Sequence, residues 1–357
     1  MRLLESETVT IVCSLLAPER EAAWDAFVRG HPDATFFHLA AWRQVIVRAF
    51  GHRTYYLVAE RAGDVVGVLP LAHIRSALFG QSLISVPFCV YGGPLASDAA
   101  ALAALADAAD GVMREIGVPV MEWRPLRALP VAADDDARWQ TRGDLYVTFR
   151  KPISGDDEIN LKAIPRKQRA VVRKGIDRGL VSEVDQDTGR LHRIYAESVR
   201  NLGTPVFSRR YFDILAEVFA GQMDVLTVLN AGTPLASVLN FYWRDEVIPY
   251  YGGGTMAARG CGANDFMYWE VMRRAAAGGF RLFDFGRSKL GTGAFAFKKN
   301  WGFTAEALQY RFRLAPGAEI PDHNPLNPKY RLFIAAWKKL PLPVANFLGP
   351  FIVRGVG

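Results

Sequence analysis

The chain has 357 residues, is half hydrophobic, carries a formal net charge of +7 and holds three cysteines. That length has room for about two domains of ordinary size, and the apolar share excludes a disordered chain. Cys13, Cys89 and Cys261 are scattered and odd in number, so they form neither a CxxC pair nor a disulfide framework, and the six histidines show no metal spacing.

The basic balance favours acidic partners such as phosphates, nucleotides, RNA or anionic lipid. Glu5 and Glu7 stand close behind Arg2 with no apolar core after them, which argues against a signal peptide. No run is apolar enough for long enough to span a bilayer. A reducing, cytoplasmic setting is expected.

In chain order, residues 8–16 alternate as a strand, 18–29 form an amphipathic helix with Trp24 and Phe27 inward, and 38–50 form a second helix. Residues 53–60 and 64–73 read as a hairpin through Ala62-Gly63-Asp64, and 82–91 as another strand. Ser97-Asp98 caps a helix that runs to Ile116, and 118–124 is a strand. Residues 130–136 form a polar loop, 144–151 alternate again, and 156–179 are helical and strongly basic. Helices over 190–201 and 208–220 lead into strands over 223–229, 234–243 and 247–252. A helix over 265–277, a strand over 281–285 and a last strand over 303–314 complete the body. The tail from Pro316 is proline-rich, helical over 328–339, then apolar to Val356.

One pattern occurs twice. Segment 35–71 repeats as 205–241: Phe37 matches Phe207, Trp42 matches Phe212, and Gly51 matches Gly221. After a one-residue slip Gly67-Val68 falls on Ala236-Ser237. Each copy continues into an apolar stretch ending in glycines, then an Ala-rich helix and a short strand. The expected fold is α/β (α+β): two tandem domains, each a mixed sheet flanked by helices, with a cleft between them. The boundaries are 1–145, 146–315, and an amphipathic tail over 316–357. Two unrelated α/β domains with the same element order are the alternative.

Chemistry concentrates in the second copy. Tyr250-Tyr251-Gly252-Gly253-Gly254 leads through Arg259, Gly260, Gly262 and Asn264 into a helix, the mechanics of a pyrophosphate cradle. The competing reading is a tight turn with Gly260 and Gly262 at positive φ. Beyond that helix Asp284 ends a strand, and Arg287, Lys289, Lys298 and Lys299 lie among glycines and aromatics, a setting that binds phosphate or stabilises an oxyanion. The basic helix buries Leu161, Ile164, Ala170 and Val171 and offers Arg166, Arg169, Arg173 and Lys174 to a phosphate-bearing ligand or RNA. A solvated charged face is the plain alternative. No GxSxG elbow or P-loop is present.

The duplicated unit, the segment from Pro165-Arg166-Lys167-Gln168-Arg169 to Arg173-Lys174-Gly175, the passage from Ala276 to Gly286, and Phe297-Lys298-Lys299-Asn300-Trp301-Gly302-Phe303 resemble the FemAB-like branch of the GNAT acyltransferase superfamily. Asn327-Pro328-Lys329-Tyr330-Arg331-Leu332-Phe333 and Leu340-Pro341-Leu342-Pro343 resemble the FemAB-related proteins of exosortase/PEP-CTERM and exopolysaccharide clusters.

The resemblance implies two GNAT-like domains and transfer of an acyl or aminoacyl group to an amine in cell-envelope, peptidoglycan or exopolysaccharide building. Acyl-CoA or aminoacyl-tRNA would be co-substrate, with no tightly bound cofactor and no metal. The acceptor is an amine carried on a nucleotide, lipid or glycan. The family's Phe-Lys pair falls on Phe297-Lys298, making Lys298 the oxyanion donor, and its aromatic and Gly-Pro segment falls near Tyr91-Gly92-Gly93-Pro94. Arg259 to Asn264 resembles the pyrophosphate loop, with Asn264 where Gly or Ala is usual.

Asp284 or Tyr251 would accept the amine proton, with Tyr250, Gly252, Gly253, Arg287 and Lys289 on the donor. Phe37, Trp42, Tyr91, Gly92, Gly93, Arg209, Arg210, Phe297 and Trp301 join the basic helix on the substrate side. The first copy lacks an Arg-x-x-Gly loop after Gly93, so it is expected to be degenerate and acceptor-binding. Other readings are a non-catalytic scaffold at a polysaccharide assembly site and an RNA-binding protein. The tail, with Trp337, Lys338, Lys339, Phe347, Leu348, Phe351 and Ile352, suits either peripheral contact with the inner membrane or docking on the protein body.

Overall fold

The computed structural model describes residues 10–76, 79–129, 139–321 and 328–357. The polar loop expected at 130–136 lies outside these residues, as does the start of the first strand. The chain divides into two compact units: Met1–Arg142 with Leu308–Pro321 and Gly357, and Gly143–Ala307 with Asp322–Val356.

In the first unit β1 (Ile11–Leu15), β2 (Arg53–Arg61), β3 (Asp64–Ser76) and β4 (Gly80–Ser85) run antiparallel in that order. The short β5 (Leu95–Ala96) adds to β3, and β4 pairs parallel with β6 (Val120–Trp123). The chain's last strand, β16 (Tyr310–Leu314), inserts between β6 and β7 (Trp139–Arg142). Residues 303–314 are therefore not one terminal strand of the second domain. Tyr310 donates its hydroxyl to Val90 O at 2.6 Å, and Arg313 Nε donates to Asp110 at 3.0 Å, so this strand is fastened to the first unit by buried polar contacts.

Helices α1 (Glu21–Gly30), α2 (Trp42–Phe50) and α3 (Ala99–Ile116) cover that sheet. Asp98 caps α3, accepting from Ala101 N at 2.9 Å, and Gly117 ends it at φ 65°. The expected strand over 82–91 stops at Ser85 because Val86 and Phe88 turn to φ 45° and 68°. The turn lets the Phe88 ring stack on Phe50 at 4.0 Å.

The second unit repeats this plan. Its sheet runs β14 (Ser288–Lys289), β8 (Tyr146–Pro152), β13 (Leu282–Asp284), β12 (Glu246–Gly254), β11 (Thr233–Trp243), β10 (Met223–Asn230), β9 (Val181–Val184), with β15 (Ala305–Ala307) also on β8. Antiparallel β10, β11 and β12 lead through α9 (Ala263–Ala277) to β13, which pairs parallel with β12, as α3 joins β4 to β6.

The match between copies extends to the bulges. Ala59 faces Gly67 and Glu60 faces Val65; in the second copy Val228 faces Ala236 and Leu229 faces Pro234. Gly67 and Ala236 thus hold the same place after an extra residue, as the alignment required. Gly51 caps α2 at φ 70°, and Gly221 takes φ 77° in the turn two residues past Phe219, which caps the equivalent helix α7 (Arg209–Val218).

The basic segment is two helices, α4 (Asp157–Ala163) and α5 (Arg166–Asp177), broken at Ile164-Pro165 because the residue before proline avoids helical backbone. Helices α6 (Gly189–Leu202), α8 (Ala258–Cys261), α10 (Gly293–Asn300), α11 (Pro328–Trp337) and α12 (Leu342–Val353) complete the unit.

Candidate active site

The parallel pair of the second unit is in register only at Glu246↔Leu282 and Val247↔Phe283. Beyond it Leu239 faces Tyr251 while Asn240 faces Pro249, so Tyr250 is an extra residue in β12. Such a bulge bends and twists the strand. From there β12 stays with β11, whereas the chain after β13 stays with β8. The two strands follow different neighbours toward their C-terminal ends, where sites on α/β sheets collect.

Lys298 lies on α10, whose first turn Thr292 caps by accepting from Phe295 N at 3.3 Å. Its Nζ donates to Gly286 O at 3.1 Å and Arg287 O at 2.9 Å. It also stands 5.8 Å from the ring centroids of both Phe149 and Phe285. Burial among these groups pushes its pKa down to about 7, with Asp284 opposing and Arg287 assisting. An ammonium has three N–H bonds, and two are committed to carbonyls. The third is the one this site can offer to an acyl oxygen.

Asp284 is not placed as a proton acceptor. Its Oδ1 accepts from Gly286 N at 2.7 Å, and its Oδ2 stands 3.2 Å from Arg150 Nε, whose guanidinium also pairs with Glu246. The carboxylate is buried in this ion cluster and closes the turn that carries the lysine's two carbonyls. The Tyr251 hydroxyl meets the Tyr211 hydroxyl at 2.8 Å. Its ring packs with Tyr195, Phe207 and Phe212 at 5.7, 5.5 and 5.3 Å, making an aromatic wall.

Tyr268, which the sequence reading did not single out, joins the two sides. Its ring meets Phe285 at 4.7 Å and Phe297 at 5.6 Å, and a Cβ on Gly252 would stand 2.9 Å from its hydroxyl. Burial raises its pKa to about 12, so it is a neutral hydroxyl. Its position three residues after Asp265 on α9 puts both on one helical face, the signal that would have found it. Asp265 Oδ1 accepts from Gln168 and, at 2.9 Å, from Trp301 Nε1. That tie binds α5, α9 and the end of α10 together, and burial raises the carboxyl's pKa.

The glycines serve packing more than a loop. Gly252 and Gly253 are inside β12, opposite Val238 and Ser237. A Cβ on Gly253 would come 2.7 Å from Ser198 Cβ, and one on Gly254 would collide with Asn264 Oδ1. Gly262 takes φ 77° between α8 and α9 and lies against Val171, while Gly260 is helical. The Gly262 N–H is already donated to Ala258 O, and Asp265 occupies the first turn of α9. Around this loop Arg259 is exposed, and Arg178 donates to Gly260 O at 2.6 Å.

Other predicted residues divide clearly. Arg287 and Lys289 lie 4.3 and 5.3 Å from the Tyr146 ring. Arg166, Arg173 and Lys174 are exposed on α5, and Arg169 is half-buried with a bond to Lys162 O at 3.4 Å. The buried positions of α5 are Val172 and Gly175, not Ala170, which is exposed. Arg209 and Arg210 are exposed on α7. Phe297 is half-buried beside the lysine.

Trp301 is fully buried with its N–H on Asp265, so it is a core residue and presents no face to a substrate. The same holds in the first unit for Phe37, Trp42 and Tyr91, which pack on one another: Phe37 meets Trp42 at 5.5 Å and Tyr91 at 5.9 Å. Gly92 lines a first-unit cavity of about 660 Å³ with His31, His38 and Pro94. Gly93 beside it takes φ 98° against Pro125. Among the described residues no His/Cys/Asp/Glu group suits a metal ion.

The fold belongs to a known class. Residues 162–299, from the end of α4 to Lys299, match the family model "Acetyltransferase (GNAT) domain". The chain has tandem GNAT-like architecture, and its second unit an acyltransferase fold.

More particularly, it is similar to the crystal structure of FemX, with TM-score 0.66 and 16% identity over 90% of this chain and 100% of that one. A tandem GNAT protein from the clavulanic acid biosynthesis pathway aligns with TM-score 0.56 and 14% identity over 87% and 100%. L-PGS from Bacillus licheniformis aligns with TM-score 0.55 and 12% identity over 96% and 98%. No curated protein matches the chain.

Proposed function

We propose that the second unit transfers an acyl or aminoacyl group from an activated donor to an amine, by direct attack and without a covalent enzyme intermediate. The observation that carries this is Lys298: a lysine of lowered pKa at the end of the parallel pair, with two N–H bonds on backbone carbonyls and one to give. The amine nitrogen bonds to the acyl carbon, and the carbonyl oxygen becomes an oxyanion that takes the third N–H. Collapse expels the donor's sulfur or oxygen. The amine loses one proton and the leaving group gains one, so the step needs a shuttle rather than a strong base. The paired hydroxyls of Tyr251 and Tyr211 are suited to it. Phe285, Phe297 and Tyr268 keep the surroundings apolar, which strengthens the lysine's contact.

The acceptor class is an amine on an envelope or exopolysaccharide precursor, and the exposed cations Arg166, Arg173, Lys174 and Arg259 favour a phosphate-bearing donor. Two donors fit, a coenzyme A thioester and an aminoacyl-tRNA. A thermal-shift series with acetyl-coenzyme A, coenzyme A and a nucleotide lacking the pantetheine arm separates them. A rise in melting temperature that needs the arm assigns the thioester. No rise, followed by transfer from charged tRNA, assigns the ester. Neither, with no transfer from either donor, defeats the proposal.

A further inference from the structure

Helix α12 is apolar on two opposite sides. Its inward side carries Ala345 and Gly349, both buried; Gly349 lies so close to Val206 that a Cβ would stand 2.8 Å from its carbonyl. Trp337 at the end of α11 is buried as well. These contacts seat the inward side of α12 on the second unit. The outward side carries Val344, Phe347, Leu348 and Phe351, at the i, i+3, i+4, i+7 spacing of one helical face. Phe347 is 69% exposed and Phe351 64%, and their rings meet edge-on at 5.7 Å. Leu332 on α11 is 82% exposed and Phe333 is exposed beside it. A helix resting on a protein body ordinarily turns polar residues outward, and a grouped apolar face marks an interaction site.

The charge around the face says what covers it. From Arg331 to Gly357 the sequence holds Arg331, Lys338, Lys339 and Arg354 and no acidic residue. Lys338 and Lys339 are exposed at the turn between α11 and α12. A second copy of the chain would bring the same positive charges together, which association does not favour. An anionic lipid surface meets both features: cations against headgroups, phenylalanines in the acyl boundary. Twelve residues of helix reach only about 18 Å, and no described helix is long and apolar enough to cross a membrane. We infer that the α11–α12 hairpin is a peripheral membrane-docking element that lies in the headgroup layer of anionic bilayers with Phe347 and Phe351 inserted.

The test is sedimentation of the full chain with vesicles of phosphatidylcholine alone or mixed with phosphatidylglycerol, with the oligomeric state measured in parallel. Binding is expected to the mixed vesicles and to weaken with salt. The double variant Phe347→Ser/Phe351→Ser is expected to melt like the wild type and bind on the order of 100-fold more weakly, because two phenylalanines leave the acyl boundary. Lys298→Ala is expected to bind like the wild type, which separates this inference from the proposed transfer. Absence of binding to anionic vesicles overturns the inference, as does binding unchanged by the double variant. A stable dimer abolished by that variant overturns it too, since a second copy would then be the occupant.

Discussion

Lys298 Nζ donates to the Gly286 carbonyl at 3.1 Å, so the candidate oxyanion donor also fastens the turn that follows the last parallel strand. That turn is closed from its other side by Asp284. Removing the lysine therefore tests two functions, and they read out differently.

Lys298→Ala is expected to lower kcat by about 10²–10³-fold, the usual cost of one oxyanion donor. KM for the donor should change little. Circular dichroism and a melting curve establish whether the fold survives; turnover unchanged in a folded variant removes the lysine from the mechanism.

The lysine's lowered pKa sets two pH dependences. Charged lysine is the donor, so kcat/KM, which follows the groups of the free enzyme, should fall as pH rises through about 7. A rise through that point would instead make neutral Lys298 the proton acceptor. For stability, the group binds its proton below about 7 in the fold and below its ordinary 10.5 when unfolded. Between those values the unfolded chain holds more protons, so this group makes stability rise with pH there, and its penalty is present in full below pH 7. Denaturant titrations of the wild type and Lys298→Met should differ in that slope.

Asp265 separates hydrogen bonding from charge. Both of its partners donate to Oδ1, an oxygen that asparagine retains. Asp265→Asn should melt within a few degrees of the wild type. Asp265→Ala should lose about 1–3 kcal/mol, because Trp301 Nε1 in the core and the half-buried Gln168 amide lose their acceptor. Equal melting of the two variants would show that the tie holds nothing together.

Gly253→Ala tests whether the glycines of β12 are there for close packing. Its Cβ would meet Ser198 Cβ at 2.7 Å, so a loss of about 1–3 kcal/mol is expected. The double variant with Ser198→Gly should recover part of it. A purely ligand-binding glycine would leave the melting temperature alone and raise KM.

Arg259→Ala, at an exposed position of the short helix α8, is expected to raise KM for the phosphate-bearing donor while leaving kcat close to the wild type. The effect should shrink at high salt, as contacts of exposed charges do. A fall in kcat at unchanged KM would move Arg259 from donor binding to the chemical step.

Hydrophobic period and turn chemistry made much of the fold legible in the sequence. The hairpins, the Asp98 cap and the equivalence of Gly51 with Gly221 depend on neighbours a few residues apart, and local rules reach that far. The GNAT-like plan of the second unit was legible through resemblance. Local pattern misleads where long-range packing overrides it. Ala170 fits an apolar stripe yet faces solvent, because α5 meets α9 through Gly175, where a Cβ would stand 2.9 Å from Phe266. Phe37, Trp42, Tyr91 and Trp301 have the aromatic character of ligand platforms, but surrounding elements bury them entirely.

By itself the sequence determined that the chain holds two copies of one α/β plan, that its second half gathers glycines, aromatics and cations, and that its tail is apolar and basic. Composition, periodicity and short-range turn preferences are properties of neighbouring residues, and a linear reading retains them. Only the tertiary structure decided that Tyr310–Leu314 belongs to the first sheet, that Asp284 caps a turn inside an ion cluster, that Tyr268 links β12 to Phe297, and that one side of α12 stays bare. Each of those depends on which distant residues share a space, and partner choice across a sheet, a buried charge cluster or a docked helix is settled by packing and desolvation over the whole unit.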